Sequence, residues 1–171
     1  MAYFTAVLAR VGKGWKARDV EVDESDSLDT LADALRSVAV DDQPVLAVIE
    51  HEDEWFAIVR VDGEEEPRLF VSDLIAAGRG GYADMLAPAA DVEPELDVDE
   101  EEEAAAAEGE GQEAEPRPVA VWAGEPDLLE DLGVTGRALR RLVEDNADDP
   151  GAVLADVGDR VGFAELLEAL R

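Results

Sequence analysis

Residues 45–61, VLAVIEHEDEWFAIVRV, decide how this chain folds. Two apolar runs, 45–49 and 55–59, flank a polar knot, His51-Glu52-Asp53-Glu54. Each run is short, apolar at consecutive positions and rich in β-branched or aromatic side chains. That pattern predicts two strands covered on both faces and joined by a tight hairpin.

Working outward, the flanking segments supply partners and covers. Residues 3–11 alternate as a strand, and Gly12-Lys13-Gly14 offers the positive φ of a hairpin turn. A second strand is expected at 15–22. Trp15 and Ala17 share one face of it, but Val20 and Val22 lie on the other, so it bulges near Asp19 or its end leaves the sheet. Leu28, Leu31, Ala32, Leu35, Val38 and Ala39 then recur at helical spacing, after Ser25, Asp26 and Ser27 as candidate N-caps. Downstream of the hairpin, Asp62-Gly63 turns the chain into a strand at 68–71, and Ser72 is the expected N-cap of a helix over 73–86. Gly78, Gly80 and Gly81 weaken the middle of that helix and allow it to divide in two, the second part carrying Tyr82, Met85 and Leu86. The order ββαβββα predicts an α+β fold: a mostly antiparallel five-stranded sheet with two covering helices, within residues 1–87.

Charge divides the chain further. The 171 residues carry a net charge of −30, with 13 acids and one base between 88 and 118. So much like charge with almost no large apolar side chain predicts a disordered acidic linker at 88–118. Beyond it, residues 119–171 form a small all-α module. Leu128, Leu129 and Leu132 open it, and Thr135 caps a helix that turns Leu139, Leu142 and Val143 inward. Pro150 begins the next helix, and Phe163, Leu166, Leu167 and Leu170 mark the last. Its core is thin for independent stability, so it is expected to be small or to dock on the first domain.

Composition narrows the chemistry. The chain has no cysteine, which removes disulfides, thiolate zinc ligands and cysteine nucleophiles. No apolar run approaches the roughly 18 residues of a membrane span, and the start of the chain lacks a signal peptide's pattern; a soluble, cytoplasmic protein is expected. His51, the only histidine, sits among acids at a hairpin end, where a solvated turn residue is a simpler reading than a general base or metal ligand. The acidic clusters lack the spacing and glycine of a calcium loop, and Gly78-Arg79-Gly80-Gly81 matches neither phosphate-binding fingerprint. No catalytic residue, cofactor or metal site is therefore expected. Candidate partner contacts are Trp122, which stands alone between linker and helices, Arg79 and Tyr82 at the glycine break, and the hairpin acids Glu52, Asp53 and Glu54.

The opening MAYFTAVLARVGKGWKARDVEV, the hairpin HEDEWFAIVRVDG and the segment PRLFVSDLIAAGRGGYADML together resemble the tRNA adenosine deaminase-associated protein family, with a weaker likeness through GEPDLLEDLGVT. The resemblance implies a protein partner, a tRNA adenosine deaminase, and brings no catalytic residue with it. A zinc deaminase needs a His/Cys/Cys ligand set and a catalytic Glu, which a chain without cysteine does not supply. The expected function is that of a non-catalytic accessory protein in tRNA modification, with no direct nucleic acid binding and no membrane. Two alternatives stand beside it: an acidic mimic of nucleic acid competing with tRNA for a basic groove, and a carboxylate-dependent enzyme using pairs such as Glu52 and Glu54.

Overall fold

The computed structural model describes residues 3–20, 22, 27–51, 54–91, 122–146 and 148–170. Strands β1 (Tyr3–Val11), β2 (Gly14–Arg18), β3 (Val45–His51), β4 (Trp55–Val61), β5 (Arg68–Val71) and β6 (Ala123–Gly124) form one sheet. Their order is β2-β1-β3-β4-β5-β6, and every neighbouring pair is antiparallel. The fold is α+β, as the sequence pattern predicts, with a sixth strand added.

Every residue of β3 and β4 is buried, because both faces of the sheet are covered. On one face Val45, Ala47, Ile49, Ala57, Val59 and Val61 pack beneath helix α1 (Leu28–Val38) and the short helices α2 (Leu74–Ala77) and α3 (Ala83–Leu86). On the other, Leu8, Leu46, Val48, Phe56, Ile58 and Phe70 share a core with α4 (Gly136–Asp145), α5 (Pro150–Val161) and α6 (Ala164–Leu170). The C-terminal helices thus lie directly on the sheet. The alternation of a strand places successive side chains on opposite faces, so one apolar run feeds both cores.

Caps set the helix limits. Ser27, Thr135 and Asp149 each accept a backbone N–H in the first turn of α1, α4 and α5. Ser72 does not cap α2. Its backbone N–H donates to the Phe56 carbonyl at 2.9 Å and its Oγ accepts from the Phe56 N–H at 2.8 Å, which extends the β4–β5 ladder by a residue. Asp73 takes the cap instead, accepting from the Ala76 N–H at 2.9 Å. The glycine run between α2 and α3 breaks the expected long helix in two. Strand β2 ends at Arg18, and Val20 and Val22 leave the sheet to pack in the core beneath α1.

The sixth strand was hidden by its length. Residues 123 and 124 pair with Val71 and Phe70, and Glu125 N–H donates to the Leu69 carbonyl at 2.8 Å. Gly124 has φ +98°, and a Cβ there would lie 2.1 Å from the Leu69 oxygen, so only glycine fits. A 3₁₀ turn at Ala87–Asp91 lies beside β6, so the chain leaves and re-enters at the same edge of the sheet, Ala89 packing in the α1-side core and Trp122 in the other. The linker expected at 88–118 lies almost wholly outside the described residues.

Candidate interaction surface

The residues singled out from sequence fall in three places. Tyr82 is only 6% exposed, and its ring meets Trp55 edge-on at 6.5 Å. Its ring therefore belongs to the core rather than to an open surface. Trp55 also lies 6.1 Å from the His51 ring, whose Nδ1 makes a 3.0 Å hydrogen bond with the exposed carboxylate of Glu54. Tyr82 and Glu54 are thus brought to one end of the sheet, on either side of Trp55. His51 itself is 7% exposed, not a solvated turn residue: β3 runs two residues past Ile49 and Trp55 pairs opposite it. Glu52 and Asp53 lie outside the described residues.

Trp122 is on the opposite face. Its ring stacks on Phe70 at 6.0 Å with an interplanar angle of 23°, and the Arg140 guanidinium sits 5.7 Å over it. Half-buried, it anchors the returning chain to the sheet. Arg79 is exposed in the turn between α2 and α3, on the α1 side of the sheet and away from Trp122. These candidates do not converge on one site.

A different constellation does converge. Arg60 is set in the apolar run of β4 and is 5% exposed, the only buried Lys or Arg among the described residues. It donates to both carboxylate oxygens of Asp131, at 2.5 and 2.8 Å, and to both of Asp62, at 2.9 and 3.0 Å. A further N–H reaches the Leu128 carbonyl at 2.6 Å. Arg68, beside it on β5, donates to Glu125 at 2.6 Å and to Asp127 at 3.4 Å. Two cations of the sheet therefore hold the segment that leads from β6 to α4. The Arg60 hydrogen bonds and charge keep the Asp131 carboxyl below its ordinary range, while the same carboxylates push the guanidinium up.

Around this cluster lies an open cleft of about 590 Å³, lined by Arg60, Asp62, Glu65, Arg68, Asp127, Glu130 and Asp131. Its bases are already engaged by its acids, and the remaining carboxylates leave a negative rim suited to cationic side chains. Among the described residues, no three His, Asp or Glu side chains group closely enough to hold a metal ion. No helix among them is long and apolar enough to cross a membrane. Hydrophobic periodicity does not single out this cluster; its trace in the sequence is a lone arginine inside the run IVRV.

The fold and this surface define a six-stranded antiparallel α+β protein with helices on both faces and an acidic cleft where its C-terminal part is fastened. The chain belongs to the Rv3753c-like tRNA adenosine deaminase-associated protein family, whose model matches residues 3–164. The match runs on through α4 and α5, well beyond the stretches that carry the likeness in the sequence. No curated protein and no solved structure matches the chain significantly.

Proposed function

We propose that this chain is a non-catalytic accessory protein that binds a tRNA adenosine deaminase. The family match over residues 3–164 carries this reading. The charge supports it: an enzyme that holds tRNA presents a basic surface, and a chain of net charge −30 is steered toward such a surface. The acidic rim of the Arg60 cleft and the exposed Glu54 offer carboxylates on the folded body for that contact. Without cysteine, the chain lacks the ligand set of a zinc deaminase and acts beside one.

The test is co-purification of the chain with the deaminase of its own organism, at about 0.1 M and about 1 M salt, where the Debye length falls from roughly 10 to roughly 3 Å. Retention at the lower salt, weakened at the higher, is the expected result. No retention at either removes the proposal. A form lacking residues 93–115 should still bind; if binding is lost with that segment, the chain acts as an acidic mimic of nucleic acid instead.

A further inference from the structure

The first 18 residues contain four bases, Arg10, Lys13, Lys16 and Arg18, and no acid. The rest of the chain carries 44 acids and 10 bases, and both lysines of the protein lie in this opening stretch. The fold sets these cations along one edge of the sheet, Lys16 and Arg18 on one face and Arg10 on the other, with Lys13 in the turn between β1 and β2. Among the described residues, strand β2 ends the sheet and is paired only to β1, so one side of its backbone has no strand partner along Gly14–Arg18. Lys13, Lys16 and Arg18 are exposed there, and no ion pair to any of them is found among the described residues. Arg10 adds its charge from over the Trp15 ring at 5.0 Å.

From this we infer that the β2 edge is a docking site for an acidic partner segment, which adds to the sheet as a further antiparallel or parallel strand. Two independent features specify the occupant. The open backbone of an edge strand calls for an extended peptide, since main-chain hydrogen bonds supply affinity and alternate side chains supply specificity. The side chains of β2 then set its pattern. Lys16 and Arg18 stand on the face of Ala9 and Val7, while Trp15 and Ala17 stand on the face of Arg10 and Leu8. A matching strand therefore alternates carboxylates, opposite Lys16 and Arg18, with apolar residues on the face of half-buried Ala17, where Trp15 is itself already buried against Phe163.

A second copy of β2 is a poor occupant, because it would set cation against cation across the pair. Edge lysines block such self-pairing. Acids would block it equally well in a chain this rich in them, so the choice of sign is informative. Phosphate polymers are disfavoured by the large negative charge of the remaining molecule. The opposite edge shows the same mode at work within the chain, where β6 arrives from a distant segment to pair with β5. This inference does not depend on the partner being a deaminase.

The probe is a fluorescein-labelled peptide of four Glu-Val repeats, followed by anisotropy and by amide hydrogen exchange of the full chain. Binding with slowed exchange at residues 14–18, and a loss of at least about tenfold in K16E/R18E, is the expected result. Both substituted side chains are exposed, and circular dichroism confirms that the variant keeps its fold. Equal binding of a peptide with the four Glu and four Val in separate blocks would overturn the inference, since charge alone would then suffice. Tighter binding of tRNA than of the peptide at the same salt would also overturn it, as would slowed exchange elsewhere in the chain. So would binding only by a form lacking residues 93–115, because the chain's own acidic segment would then be the occupant.

Discussion

Arg60 is the residue on which the two halves of the molecule meet. Its guanidinium is out of water, and its five hydrogen bonds go to Asp62, Asp131 and the Leu128 carbonyl. Truncation leaves two carboxylates facing each other and a buried carbonyl without its donor. Removing one member of a buried pair costs about 3–5 kcal/mol, and the 61% exposure of the Asp131 side chain reduces this, so R60A should lose about 2–3 kcal/mol in urea denaturation. Asp131 adds a pH signature. Its carboxyl titrates lower when folded than when unfolded, so its contribution is present above the ordinary carboxylate range and is lost as pH falls through the folded value. D131N should therefore be less stable than the parent at neutral pH, and the gap should close in acid once the parent's folded-state carboxyl is protonated. Parallel acid titrations of the two proteins, followed by circular dichroism, measure that difference. A lone arginine between apolar residues was visible in the sequence; its partners Leu128 and Asp131, some seventy residues away, were not, because no local pattern encodes an ion pair across the fold.

At the scale of elements, local chemistry was legible wherever periodicity and caps agree. The limits of α1 and β5 follow directly from alternation, helical spacing and the Ser27 cap. Ser72 misled because a hydroxyl before an apolar run can cap a helix or extend a ladder, and the pairing of β4 with β5 decides between them. Strand β6 was not legible at all: two residues carry no period. What marks it is the glycine at 124, whose backbone conformation and close approach to Leu69 exclude any side chain. G124A should break the β5–β6 pairing and cost about 1–3 kcal/mol, the range for a strained backbone position. Loss of amide protection at Glu125, whose N–H donates to Leu69, would report where the damage falls.

For the molecule as a whole, the sheet serves two cores at once. The sequence announced strands buried on both sides, and the C-terminal apolar periodicity announced helices with a thin core that could dock on the first domain, but no residue pattern said which face of the sheet they cover. The candidate contacts scattered because Trp122 and Tyr82 pack in the cores on opposite faces of the sheet. Residues 1–91 produced alone would bare Leu8, Leu46, Val48, Phe56, Ile58 and Phe70. That fragment should aggregate or bind a hydrophobic dye strongly, and co-expression with residues 122–171 should restore a soluble, dye-silent protein. A stable, monomeric 1–91 would show that the second core is dispensable.

The turn at Ala87–Asp91 and the return at Trp122 both lie beside β6, so the described ends of the acidic stretch are fixed at one edge of the sheet. A tether whose ends are both held at one edge imposes no ruler on the body: closing it costs only a logarithm of its length. Excising residues 93–115 should move the unfolding free energy by about 1 kcal/mol or less toward greater stability. The negative charge carried beside the sheet can thus be tuned by adding or removing residues here while the architecture stays as it is.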